Sequence, residues 1–116
     1  MRARREVLGA DYVDKATAAA DEFQRHFQEW VTKHCWGAIW TRPGLPRKTR
    51  SMLNLAMLAA TGRTHELKIH VKAAITNGVT QDEIAEIFLQ VGAYSGAPAA
   101  LEAFKTAKEV FTELGL

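Results

Sequence analysis

Glu66 and His70 stand four residues apart in a stretch that reads as helix. At 3.6 residues per turn this spacing puts them within roughly 40° of each other on one face, where a carboxylate can hydrogen-bond an imidazole. Such a contact fixes the ring tautomer and tunes its pKa toward neutrality, as a general acid or base requires. Their row, continued by Ala73, borders an apolar stripe of Leu67, Val71 and Ala74, so both are expected to be partly buried. The same spacing also serves merely to stabilise a surface helix, and spacing alone leaves both readings open. His65 and His70 lie five apart, roughly 140° around the helix, unlike the paired histidines of HExxH. With no third ligand in view, no metal site is expected.

A second group precedes it. Trp36 and Trp40 are also four apart and lead into a run holding Arg42, Arg47, Lys48 and Arg50 with no acid between them. The two indoles could wall a pocket whose rim, Arg42 and Arg47, holds a small anion; packing in a core or an interface accounts for the indoles equally well. Tyr94 follows Glu86 and Gln90 along one row of a later helix, where it either presents its hydroxyl to the same cavity or packs with that hydroxyl satisfied. The single cysteine, Cys35, excludes an intramolecular disulfide, a CxxC redox pair and a thiolate zinc cage, and it reads as a small hydrophobe.

The elements that must position these residues are helices. No run alternates β-branched with polar residues, and Asn77-Gly78 ends a helix instead of joining two strands. Leu8-Gly9 closes a short N-terminal turn, and Tyr12 to about Ala20 is helical. From Asp21, Phe23, Phe27, Trp30, Val31 and His34 form an amphipathic stripe on a helix expected to reach Ile39. Two prolines and a glycine make Thr41 to Pro46 a loop. The next helix, to about Thr61, is apolar all round after its first turn and is expected at the centre of the fold. Thr64 is placed to cap the helix that follows. Thr80-Gln81-Asp82-Glu83 is a capping box, with Val79 and Ile84 as its hydrophobic staple. Leu101, Phe104, Phe111 and Leu114 mark the last helix. The reading is a single all-α domain over residues 1–116, a compact bundle of about six helices.

With 15 basic and 13 acidic residues the charge is too balanced for nucleic acid or a membrane surface. The longest apolar run, Leu53 to Ala60, is far shorter than the roughly 20 residues that span a bilayer. Arg2, Arg4 and Arg5 lead into Glu6, Asp11 and Asp14 instead of an apolar stretch, so a cytoplasmic protein is expected. Three tryptophans and five phenylalanines are a heavy apolar load for 116 residues, and this predicts a homo-oligomer.

Read together, the segments resemble the carboxymuconolactone decarboxylase family over nearly the whole chain. The resemblance is carried by Arg4-Arg5-Glu6-Val7-Leu8-Gly9 with Tyr12-Val13-Asp14, and by Trp36-Gly37-Ala38-Ile39-Trp40-Thr41-Arg42-Pro43-Gly44-Leu45 with Arg47, Thr49 and Arg50. Glu66-Leu67, His70, Asn77-Gly78-Val79-Thr80 and Tyr94-Ser95-Gly96-Ala97-Pro98 are similar to a core shared with peroxidase-system disulfide reductases. Arg63 and Glu66 stand where those reductases carry their two cysteines, which excludes thiol chemistry there. The resemblance implies a helical homo-oligomer, commonly a hexamer. It also implies decarboxylation, without a cofactor, of a lactone dicarboxylate, 4-carboxymuconolactone, to the β-ketoadipate enol-lactone. On that reading His70, steered by Glu66, donates a proton, Arg42 or Arg47 grips carboxylates, Trp36 and Trp40 keep the site dry, and Tyr94 and Arg63 are secondary candidates. A relative acting on another lactone or β-keto acid, and a non-catalytic oligomer binding a small anion or a partner, are the alternatives.

Overall fold

The computed structural model describes residues 1–116. Its elements are α1 (Arg2–Leu8), α2 (Ala10–Ala19), α3 (Glu22–Val31), a π-helical turn (Thr32–Gly37), α4 (Arg47–Ala60), α5 (Thr64–Thr76), α6 (Gln81–Ser95) and α7 (Ala97–Glu113). The architecture is all-α, as the sequence predicts. None of the helices is long and apolar enough to cross a membrane. The chain divides into two units, residues 1–47 and 48–116.

In the second unit the helical periodicity of the sequence becomes the core. Leu67, Val71 and Ala74 of α5, Ile84, Phe88 and Val91 of α6, and Ala103, Ala107 and Val110 of α7 are all buried, joined by Leu55 and Ala59 of α4. Phe88 meets Phe104 edge to face at 5.6 Å between ring centroids. A methyl group on Gly92 would stand 3.2 Å from the Ala100 side chain, so α6 and α7 approach closely here and an alanine would need them to give by a few tenths of an ångström. The capping box forms: Thr80 Oγ1 accepts from the Glu83 N–H at 3.1 Å, and Glu83 Oε1 accepts from the Thr80 N–H at 2.9 Å. The other Glu83 oxygen meets Lys48 Nζ at 3.1 Å, tying the start of α6 to α4.

Two expectations are corrected. α4 is not the centre: only Ser51, Leu55 and Ala59 are buried, a single stripe at i, i+4 and i+8, while Leu53 and Met57 are 47% and 57% exposed. The core is already filled by α5 to α7, so α4 needs to offer only one face. Thr64 begins α5 instead of capping it, and Arg63 occupies the cap position without a side-chain bond. Ser51, fully buried on the inner stripe of α4, accepts from Asn77 Nδ2 at 2.9 Å and so joins α4 to the end of α5. Ser51→Ala removes this acceptor and strands a part-buried amide. A loss of about 1 kcal/mol is expected by urea denaturation, the net of an unmatched donor against alanine's better helix propensity.

In the first unit α1 packs against α2 and the π-helical turn. Asp21 starts α3 with its own capping box, its carboxylate accepting from the Gln24 N–H at 2.7 Å. The sequence predicts one continuous helix from here to Ile39. The α-helix instead stops at Val31 and passes into the π-helical turn. Bonds reaching five residues back, such as Trp40 N–H to the Cys35 carbonyl at 3.1 Å, change the angular step that helical spacing assumes. α3 has no buried residue: Phe23, Phe27 and Trp30 of its apolar stripe are 84%, 58% and 54% exposed.

Candidate active site

The candidate residues fall into two sets, one in each unit. In the second unit α5 carries Glu66 and His70 at a step of four, which places them on one face, and Arg63 stands at the cap position just before the helix. Lys68, on a different side of α5, meets Glu113 of α7 at 2.9 Å, which fixes the helix against its neighbour. His70 is partly buried as predicted, but Glu66 is exposed, because it sits one turn nearer the helix start where no core packs over it. Burial pulls the His70 pKa below the ordinary imidazole value, and the nearby Glu66 charge only partly offsets that. The expected drift toward neutrality is therefore reversed. His70 is mainly neutral at pH 7, until a negative charge arrives beside it.

Tyr94, near the end of α6, is 85% exposed, so it neither packs in the core nor faces an enclosed space. Glu86 and Gln90, earlier on its row, border an apolar groove between α4 and α6 of about 540 Å³, floored by Met52, Leu53, Ala56 and Ile87. No three of the chain's His, Cys, Asp and Glu side chains are grouped closely enough to hold a metal ion.

In the first unit Trp36 and Trp40 are both buried and stacked on each other, ring centroids 5.0 Å apart and planes 24° from parallel. Arg42 is exposed on the loop that follows. Arg47 is not an equivalent rim cation: it forms an ion pair with Glu6, which also accepts from Arg2 at 3.2 Å. Those contacts, the Arg47 hydrogen bond foremost, hold the Glu6 carboxyl below its usual range. Arg47 thus has a carboxylate already. Cys35 is half-buried.

Arg4 belongs to the N-terminal motif, but the sequence assigns it no site role. It is 5% exposed, and its Nη1 donates to Thr32 Oγ1 at 3.1 Å. The signal was available, since Ala3, Arg4, Val7 and Leu8 are the buried positions of α1 and one of them is basic.

With this geometry in place, comparison with known proteins adds the following. The sequence profile described as the carboxymuconolactone decarboxylase family matches residues 25–109. A 4-carboxymuconolactone decarboxylase of Acinetobacter baylyi is 42% identical over 116 residues, covering 100% of this chain and 87% of that protein. A nitrosuccinic acid decarboxylase of Metarhizium robertsii is 39% identical over 114 residues, covering 98% of this chain and 80% of its own length. An uncharacterized 15.0 kDa protein of Paracoccus denitrificans is 34% identical over 80 residues.

Proposed function

The chain belongs to the carboxymuconolactone decarboxylase family, and from that premise we propose that it is a carboxy-lyase removing CO2 from 4-carboxymuconolactone in aromatic catabolism. The observation that carries this reading is the full-length similarity to a decarboxylase of that substrate.

The chemistry needs no bound electron sink. When the bond to the departing carboxylate breaks, its electron pair passes through the ring double bond to the lactone carbonyl and gives a dienolate. One proton then returns to carbon, and the product is the enol-lactone. Nitrosuccinic acid, named for the second relative, shares the logic, because a nitro group beside the carboxyl accepts the same pair. The protein's tasks are to bind a dianion, stabilise the developing oxyanion and deliver a proton.

For these tasks we assign His70 as proton donor with Glu66 as the group that orients it, and Arg63, at the cap position of α5, as a cation for the oxyanion. Tyr94 is a secondary hydroxyl. In the N-terminal unit Arg42 or Arg47 is the proposed carboxylate-gripping residue, with Trp36 and Trp40 excluding water. The active form is a cytoplasmic homo-oligomer, a hexamer by family precedent. Supporting assembly, the apolar residues of α3 and the outer positions Leu53 and Met57 of α4 face solvent. A short helix with nothing packed on its apolar face is marginal in water. Light scattering should give a multiple of 12.9 kDa, and a 12.9 kDa species at working concentration would overturn assembly.

Purified protein mixed with 4-carboxymuconolactone should release one CO2 per substrate. Parallel assay of nitrosuccinate decides between the two named substrates. No release from either at high enzyme concentration rejects the decarboxylase reading.

A further inference from the structure

We propose that the open cavity of the N-terminal unit is a binding site for a small organic acid, whose carboxylate is held by the buried guanidinium of Arg4. The cavity encloses about 800 Å³, room for a molecule of several carbon atoms, and Arg4, Gln28 and Thr32 are among its lining residues.

The case rests on polar groups that the chain itself leaves unmatched. Arg4 is more than nine-tenths buried, yet it forms no ion pair, and its only hydrogen-bonded partner is the neutral Thr32 hydroxyl. Its Nε–H is buried with no acceptor. Burial accordingly lowers its pKa, opposed only by the nearby Tyr12 phenol and by no carboxylate. A buried cation without a counter-ion is costly, and a fixed, planar guanidinium is the group best shaped to take a carboxylate. Gln28 Oε1 is likewise buried without a partner, and a turn of its amide would offer an N–H to the second carboxylate oxygen.

The other charges around the cavity do not supply the missing anion. Glu29 and Glu22 both approach Arg25, at 3.6 and 3.7 Å, and Lys33 adds a further cation to the lining. The orientation of α3 is consistent with this use. Arg25, Gln28, Glu29 and Thr32 recur at helical spacing on the side opposite Phe23, Phe27 and Trp30, so the polar face of this helix lines the cavity and its apolar face looks outward. A second copy covering the apolar stripe would leave the cavity on the other side of the helix.

The inference stands apart from the decarboxylase reading, because its readout is binding and not turnover. Succinate titrated into the full-length protein should shift the amide resonances of Arg4, Gln28 and Thr32 in a saturable way, whereas the neutral succinamide should not. Arg4→Met, which keeps the stem and removes the charge, should weaken succinate at least tenfold while holding or raising Tm. Succinate shifts that are absent, or that persist unchanged in Arg4→Met, would overturn the proposal. So would an Arg4→Met protein of lower Tm and smaller assembled mass, since Arg4 would then be paired with a carboxylate of a second copy. Loss of CO2 release with binding intact would reject the decarboxylase and leave this site standing.

Discussion

Replacing His70 with alanine is expected to lower turnover of 4-carboxymuconolactone by about 10²- to 10⁴-fold, the usual contribution of a positioned general acid. Glu66→Gln should cost less, because Glu66 is exposed and acts on the ring from outside. The pH profile tests the role itself. In the free protein His70 titrates below the ordinary imidazole value because burial disfavours its charge. A donor must carry the proton, so kcat/KM should fall tenfold per pH unit above that lowered pKa. Substrate brings two carboxylates, which favour the imidazolium, so kcat should hold to higher pH than kcat/KM, and binding near pH 7 should take up a proton. A kcat/KM that instead falls on the acid side would make the neutral ring the active form, a hydrogen-bond donor to the dienolate. Near-normal turnover in both variants would remove α5 from the chemistry. The same burial has a stability consequence. The unfolded chain protonates this histidine first, so its contribution is complete above the unfolded pKa and is lost as pH falls through that value toward the folded one.

What could be read in the sequence was local chemistry. Thr80 and Glu83 form their reciprocal cap because the four residues involved need nothing else, and Leu67, Val71 and Ala74 are buried because a 3.6-residue period admits no other inward face. What could not be read depends on neighbours. The apolar girth of α4 pointed to the centre of the fold, yet Leu53 and Met57 are exposed, since burial is decided by how many helices pack on a face and not by its composition. Arg42 and Arg47 look equivalent in sequence, and the pairing of Arg47 with Glu6, 41 residues away, cannot be read there. Trp36 and Trp40 do share a face as their spacing suggests, and they stack on each other. The π-helical turn beneath them is invisible to a periodicity that assumes 100° per residue. Arg4 looks like its neighbours Arg2 and Arg5 in composition, and only its place on the buried stripe of Ala3, Val7 and Leu8 sets it apart.

Phe88→Ala should remove about 3–5 kcal/mol of stability, the range expected for truncating a fully buried aromatic ring. Phe88 is fully buried among α5, α6 and α7, and its ring meets Phe104 edge to face, so truncation loses transfer free energy and leaves a cavity that the packed helices cannot close. A chain of this length is stable by roughly 6–17 kcal/mol, so the variant should stay folded at low temperature with a much lower urea midpoint and an unchanged m-value. Phe23→Ala is the matched control, the same chemical change at a ring that is 84% exposed. In the isolated chain it should shift stability by no more than about 0.5 kcal/mol. If a second copy covers α3, its effect must grow with protein concentration, because stability gained by association follows mass action, whereas that of Phe88→Ala must not. A loss below about 1 kcal/mol for Phe88→Ala would contradict the core described here. A concentration-independent loss of several kcal/mol for Phe23→Ala would mean that α3 is packed within its own chain.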